Sequence, residues 1–258
     1  MTGQTAAFFD LDRTLRAGVS MALLSRGAGG RAKSLVALAG GRATRPLRRL
    51  AGVGEPDLPQ GYVLELLAGH TEGEVRRWAR SIATTEILPR LNPQLVEMVS
   101  RWSGTETPTV LVTVAPRELA TAVAATIDVD HALATEAERG PDGRYTGRAA
   151  GQPLVGAAKL AAVEELAARE GIDLARSHVY CDRDGSRELL EAVGFPHVVN
   201  PDAELRERAV DEGWAVHEIT PARWLWAVEL PGLSQAGAAA VGLAAGFALG
   251  SRRAHRTP

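Results

Sequence analysis

Two aspartates two residues apart, Asp10 and Asp12, close a short apolar run, Phe8-Phe9-Asp10-Leu11-Asp12-Arg13-Thr14-Leu15. In an extended chain that spacing points both carboxylates the same way. Phe8, Phe9 and Leu11 wall the segment, which sets the acids at the rim of a core. Neighbouring carboxylates repel, so a shared proton, a cation or both must offset them. Magnesium, which prefers oxygen ligands, is the expected cation. Thr14 adds a hydroxyl where the chain turns. An Asp-rich turn at a strand end is the plain structural alternative, so the pair needs partners elsewhere in the chain.

The elements that must position such partners follow in order. Thr109 to Thr113 reads as a fully apolar buried strand ending in a hydroxyl. A helix over Gln94 to Trp102 precedes it, and one over Arg117 to Thr126 follows, with Pro116 near its first turn. A short strand is expected over Ile127 to Ala134 and a hairpin turn at Asp142-Gly143. Gly156-Ala157-Ala158-Lys159 opens an Ala-rich helix that Gly171 closes. His178 to Cys181 and Phe195 to Val199 are further strands, with a helix around Leu189 to Val193 between them. Alternation of this kind predicts a three-layer α/β fold, Rossmann-like, with a parallel sheet. Ligands of such sheets lie beyond the carboxyl ends of the strands, and Asp10, Thr113 and Asp182 all fall there. Tyr62 to Leu67 and Glu72 to Ile87 look helical, so Arg16 to Arg90 reads as a helical insertion.

The 258 residues, 45% hydrophobic and 23% charged, describe an ordinary globular chain with room for a large core. A net charge of -2 argues against a nucleic-acid partner. One cysteine, Cys181, excludes an internal disulfide and fits a reducing compartment. Met1 to Ala7 lacks the basic start of a signal peptide, so a cytoplasmic setting is expected. Arg13 to Gly54 carries nine Arg and Lys residues and no acid. That is either a solvated helical face or a surface facing phospholipid headgroups or a phosphorylated substrate.

Several segments carry a family resemblance. The opening run is similar to the DxDx[TV] signature of the haloacid dehalogenase-like phosphohydrolases. Pro116-Arg117-Glu118-Leu119, Asp142-Gly143-Arg144-Tyr145-Thr146-Gly147, Leu189-Leu190-Glu191-Ala192-Val193-Gly194 and Val199-Asn200-Pro201-Asp202 resemble further motifs of the subfamily related to phosphoserine phosphatase. The resemblance spans about Ala6 to Trp214. It implies a helical cap inserted after the first strand and an aspartyl-phosphate formed on Asp10. Asp12 would be the general acid and base, the Thr113 hydroxyl would donate to a phosphoryl oxygen, and Lys159 would neutralise charge. Mg2+ would be held by Asp10, the Asp12 backbone carbonyl and Asp182.

Two departures shape the expectation. The acidic loop reads Tyr180-Cys181-Asp182-Arg183-Asp184-Gly185-Ser186, so the family's second loop aspartate falls on Ser186. Asp184 is displaced by two positions. Loss of a group supporting a metal shell commonly costs about ten- to a hundredfold in affinity or activity. The expected protein is a slow Mg-dependent phosphate monoester hydrolase; the alternative is an inactive phosphate-binding scaffold. Phosphoserine phosphatases also carry a cap acid shortly after the first motif to hold the substrate's amino group. None lies between Leu15 and Gly54, so a small anionic or amphipathic phosphate ester fits better than phosphoserine.

Leu230 to Gly250 carries no charge and is rich in Ala and Gly, with Trp224 and Trp226 upstream and Arg252-Arg253 beyond. It reads either as a membrane-seeking segment or as a peripherally packed Ala/Gly helix. The expected organisation is a discontinuous core over 1-15 and 91-225, a helical cap over 16-90 and a tail over 226-258.

Overall fold

The computed structural model describes residues 3-11, 64-91, 93-103, 105-181 and 186-219. Most of the expected cap (16-63), the tail, and Asp12, Asp182, Arg183 and Asp184 lie outside the described residues.

Six strands form one parallel sheet: β1 (Ala7–Asp10), β2 (Thr109–Pro116), β3 (His131–Thr135), β6 (His178–Cys181), β7 (Phe195–Val199) and β8 (Ala215–His217). Their order is β3-β2-β1-β6-β7-β8, so β1 is central, flanked by β2 and β6. Successive residues of β1 serve opposite faces. Phe8 joins Val110, Val179 and Val198 on one side; Phe9 joins Leu111, Tyr180 and Val199 on the other. Both faces are therefore apolar, as a strand covered by helices on two sides requires.

The Phe9 face is covered by α2 (Pro93–Trp102) and α3 (Arg117–Thr126) through Val99, Leu119 and Val123, and α1 (Glu72–Ile82) packs on α3 in the same apolar cluster through Val75 and Ala79. The Phe8 face is covered by α4 (Ala157–Glu170), α5 (Arg187–Ala192) and α6 (Ala203–Asp211) through Val163, Leu166, Leu190 and Leu205. This is the expected three-layer α/β arrangement. A separate antiparallel pair, β4 (Ala137–Arg139) and β5 (Tyr145–Ala149), flanks the expected Asp-Gly turn, where Asp142 Oδ1 accepts from the Arg144 amide.

The differences from sequence expectation have local causes. β2 runs three residues past Thr113, and its register with β3 shifts between Thr113 and Pro116. The helical run from Glu72 turns π-helical at Ala83–Ile87, where the Thr84 and Thr85 hydroxyls bond back to the Arg80 and Ser81 carbonyls. β3 starts only at His131, because Asp130 first caps the sheet edge by accepting from Thr109 N and Oγ1, each at 2.8 Å. α6 and β8 add elements that periodicity did not reveal; Asp202 caps α6 by accepting from Leu205 N at 2.9 Å. α4 closes as expected, with Gly171 left-handed at φ 71°. No helix among the described residues is long and apolar enough to cross a membrane.

Candidate active site

Asp10 is the last residue of β1, at the carboxyl edge of the central strand. Lys159 projects from the first turn of α4, and Ser186 immediately precedes α5. Three elements separated by as many as 176 residues thus deliver three polar side chains to one point. Lys159 Nζ lies 2.9 Å from Asp10 Oδ2 and 3.0 Å from Ser186 Oγ. Ser186 Oγ in turn donates to Asp10 Oδ2 at 3.4 Å, which closes a triangle.

All three groups are withdrawn from water: the side chains of Lys159 and Asp10 are 6% and 13% exposed, and Ser186 is 2% exposed. Burying an ammonium in the first turn of a helix is unfavourable, since both desolvation and the helix dipole oppose it. Asp10 supplies the opposite charge that offsets this. Both described contacts fall on Oδ2, and no described residue donates to Oδ1.

Thr113 stands one residue beyond Val112, the register partner of Asp10, and is fully buried. Its hydroxyl accepts from the Ala115 amide at 3.1 Å within β2, so Thr113 is not the strand end that the sequence suggested. The structure therefore brings Asp10, Lys159 and Ser186 into contact and sets Thr113 inside the adjacent strand, three residues short of its end. Asp12, Asp182 and Asp184 lie outside the described residues.

The donor chemistry suits a hard cation in kind, with a carboxylate and a hydroxyl supplying oxygen ligands. Asp10 offers Oδ1. Ser186, where the family pattern has an acid, offers a neutral hydroxyl already shared with Lys159 and Asp10. Among the described residues no three His, Cys, Asp or Glu side chains converge on a metal position.

Two further features lie apart from this point. A cavity of about 430 Å³ opens between α1, α3 and the β4-β5 pair, lined by Arg76, Arg80, Arg117, Glu118, Arg139 and Tyr145 among others, and by none of the triangle residues. A row of imidazoles crosses β6, β7 and β8. His178 Nδ1 is 3.0 Å from His197 Nε2, and His197 Nδ1 is 3.0 Å from His217 Nε2. Sequence reading passed over this row. Its only signal was a histidine in each of three strands, offset by two positions in register from one strand to the next.

Comparison with known proteins fits the geometry. Residues 7–191 match the family of haloacid dehalogenase-like hydrolases. A Mycobacterium tuberculosis protein named phosphoserine phosphatase SerB1 is 31% identical over 255 residues, covering 97% of this chain and 82% of that protein. A solved structure of a Bordetella pertussis protein of unknown function superposes with a TM-score of 0.70 at 30% identity, over 85% of this chain and all of that one. A phospho-aspartyl intermediate analogue of phosphoserine phosphatase shares the fold, with a TM-score of 0.57 at 18% identity over 87% of this chain and 98% of its own. With a parallel sheet, an aspartate ending its central strand and a lysine on that carboxylate, this chain belongs to the haloacid dehalogenase-like hydrolase family.

Proposed function

We propose that this chain is a magnesium-dependent phosphomonoesterase working through an aspartyl-phosphate on Asp10. The observation that carries the reading is the buried Asp10–Lys159 contact at the carboxyl end of β1. Asp10 attacks the phosphorus, a new P–O bond forms, and the ester P–O bond breaks. The departing alkoxide takes a proton from Asp12. Asp12 then removes a proton from water, which attacks the acyl-phosphate, releases inorganic phosphate and restores the Asp10 carboxylate. Lys159 holds the nucleophile through Oδ2 and offsets charge on the phosphoryl oxygens, and Thr113 donates to one of them. Asp10, the Asp12 carbonyl and Asp182 would hold magnesium, which would supply the remaining charge neutralisation.

The acid-free stretch from Arg13 to Gly54 favours an anionic or amphipathic ester over phosphoserine, although a relative bears that substrate in its name. We assign 16-90 to a cap over the site and 226-258 to a tail. Comparing the membrane fraction of the full chain with that of a chain ending at Glu229 tests whether the tail seeks lipid. A second reading, a phosphate-binding scaffold without turnover, draws on the neutral Ser186 in the triangle. An aryl phosphate assay with magnesium, run beside Asp10→Asn, separates the two. Turnover lost in Asp10→Asn supports the hydrolase. Equal inertness of both proteins, with phosphate analogues still bound, establishes the scaffold. Phosphoserine turned over far faster than other monoesters would overturn the substrate assignment.

A further inference from the structure

We propose that the cavity between α1, α3 and the β4-β5 pair is a ligand site of its own, and that it takes a small organic dianion carrying a hydroxyl. Arg76 and Arg80 hold the anionic groups, and Glu118 accepts from the hydroxyl. None of Asp10, Lys159 and Ser186 lines this cavity, so the inference stands apart from the hydrolase reading.

Size and walls suit a binding site better than a gap in packing. A volume of about 430 Å³ falls in the range of small-molecule pockets. One wall is a polar ridge on α1 and the π-turn after it. Glu72, Arg76, Arg80 and Thr84 follow one another there at four-residue intervals, the spacing that keeps side chains on one helix face. The opposite wall comes from α3, where Thr121, Ala122, Ala125 and Thr126 are all small. Large side chains at those positions would close the gap, and these leave it open.

The ridge carries an excess of positive charge. Glu72 is shared by two guanidiniums: Oε1 lies 3.1 Å from Arg76 Nε and Oε2 lies 2.5 Å from Arg139 Nη1. Arg117 is paired with Glu136 at 3.0 Å. Among the described residues Arg80 meets no carboxylate. A guanidinium takes a carboxylate through two parallel N–H bonds, and two of them one turn apart suit two anionic groups of one molecule.

Glu118 sets the remaining requirement. Its Oε1 accepts from the Tyr145 hydroxyl, whereas Oε2 is buried with no donor among the described residues. A buried carboxylate oxygen without a donor is costly, and the cavity that Glu118 lines is the space from which a donor can approach. A carboxylate group cannot supply that donor; a hydroxyl can. Where four arginines already gather, a neutral O–H serves better than an ammonium.

The probe is L-malate, a hydroxy-dicarboxylate, with succinate as the counterpart that lacks the hydroxyl. Each is titrated calorimetrically, without magnesium, into the full chain as wild type, Arg80→Ala, Ala125→Trp and Asp10→Asn, and melting temperatures are followed with and without malate. Arg80 and Ala125 are exposed, so their variants leave the core intact. Malate is expected to bind wild type at one site and to raise its melting temperature. Succinate should bind about fivefold or more weakly, the scale of one hydrogen bond. Arg80→Ala should weaken malate about tenfold or more, the scale of a charge-assisted pair. Ala125→Trp fills the gap and should abolish binding, while Asp10→Asn should leave the affinity within about twofold of wild type. Neither heat nor a melting shift from malate at millimolar concentration overturns the proposal. Binding that Asp10→Asn alters and Ala125→Trp does not also overturns it, because malate would then sit at the catalytic carboxylate. Succinate bound as tightly as malate overturns it too, since Glu118 would take no part. None of these outcomes decides the hydrolase reading, which aryl phosphate turnover tests separately.

Discussion

Lys159 Nζ and Asp10 Oδ2 meet at 2.9 Å in a site where neither side chain is more than 13% exposed. Such a pair stabilises little relative to an apolar substitute, but removing one partner strands the other charge. Lys159→Met is therefore expected to lower unfolding free energy by about 3 kcal/mol. The double variant Asp10→Asn/Lys159→Met should cost at least about 1 kcal/mol less than the two singles summed, the coupling expected of groups in contact. Urea unfolding of the four proteins measures this. Strict additivity would show that the contact carries no energy.

His197 sits between His178 and His217, with Tyr180 stacked on it at 4.3 Å between ring centroids. The groups facing the row are aromatic: Trp102 and Phe195 lie against His178, and Phe9 lies behind Tyr180. The nearest charged neighbour in sequence, Glu218, is paired with Arg206. Burial first, then His217 and His178, hold the His197 imidazole down to about 4 from its ordinary 6.5. Burial also lowers His178 and His217. A base whose folded value is depressed takes up protons in the unfolded chain first, so stability is lost as pH falls from about 6.5 toward 4. Between pH 7 and 5 this row should cost about 1–2 kcal/mol. His197→Gln should show a visibly flatter fall in urea midpoints over that range. Parallel slopes for the two proteins would remove the row as the cause.

What could be read from the chain, and what could not, divides along physical lines. Helix α3 and strand β7 fall where periodicity placed them, because an apolar run bounded by Pro, Gly or Asn is a local property. Asp10 and Lys159 were nominated by short motifs, and the structure brings them into contact. The imidazole row was illegible because its members are 19 and 20 residues apart and only parallel register aligns them. The inward turn of Ser186 was equally hidden, since the sequence marks that position by the acid it lacks and says nothing of where the hydroxyl points. The π-turn at Ala83–Ile87 arose from side-chain hydroxyls competing with the backbone, which hydrophobic spacing does not register.

Gly194, between α5 and β7, donates its amide to the Leu174 carbonyl at 2.9 Å. A Cβ added there would lie 1.8 Å from the backbone oxygen of Ala175, an atom that cannot swing away. Gly194→Ala must therefore push the start of β7 away from the Leu174–Arg176 turn that precedes β6, and overpacking of this severity costs about 3 kcal/mol or more. Gly151→Ala, where an added Cβ meets nothing within 4 Å, is the matched control and should be near neutral. Thermal unfolding of both variants distinguishes close backbone approach from a general intolerance of alanine.

Metal binding should carry the mark of the same triangle. Asp10 Oδ2 already receives Lys159 and Ser186, so a divalent cation would depend on Oδ1 and on Asp12 and Asp182, which flank the described strand ends. A carboxylate already engaged on one oxygen, with a neutral hydroxyl beside it, makes a shallow site, and magnesium affinity is expected to be weak. Dialysis against EDTA should abolish aryl phosphate hydrolysis, and magnesium at millimolar levels should restore it. Ser186→Asp adds a charged oxygen donor and should tighten the calorimetric magnesium Kd by about tenfold, the usual scale for a group supporting a metal shell. Asp10→Asn removes charge from the ligand set and should weaken it. If Ser186→Asp leaves the Kd unchanged while Asp10→Asn weakens it, magnesium binds on the far side of Asp10 from Ser186, and the position contributes nothing to the cation.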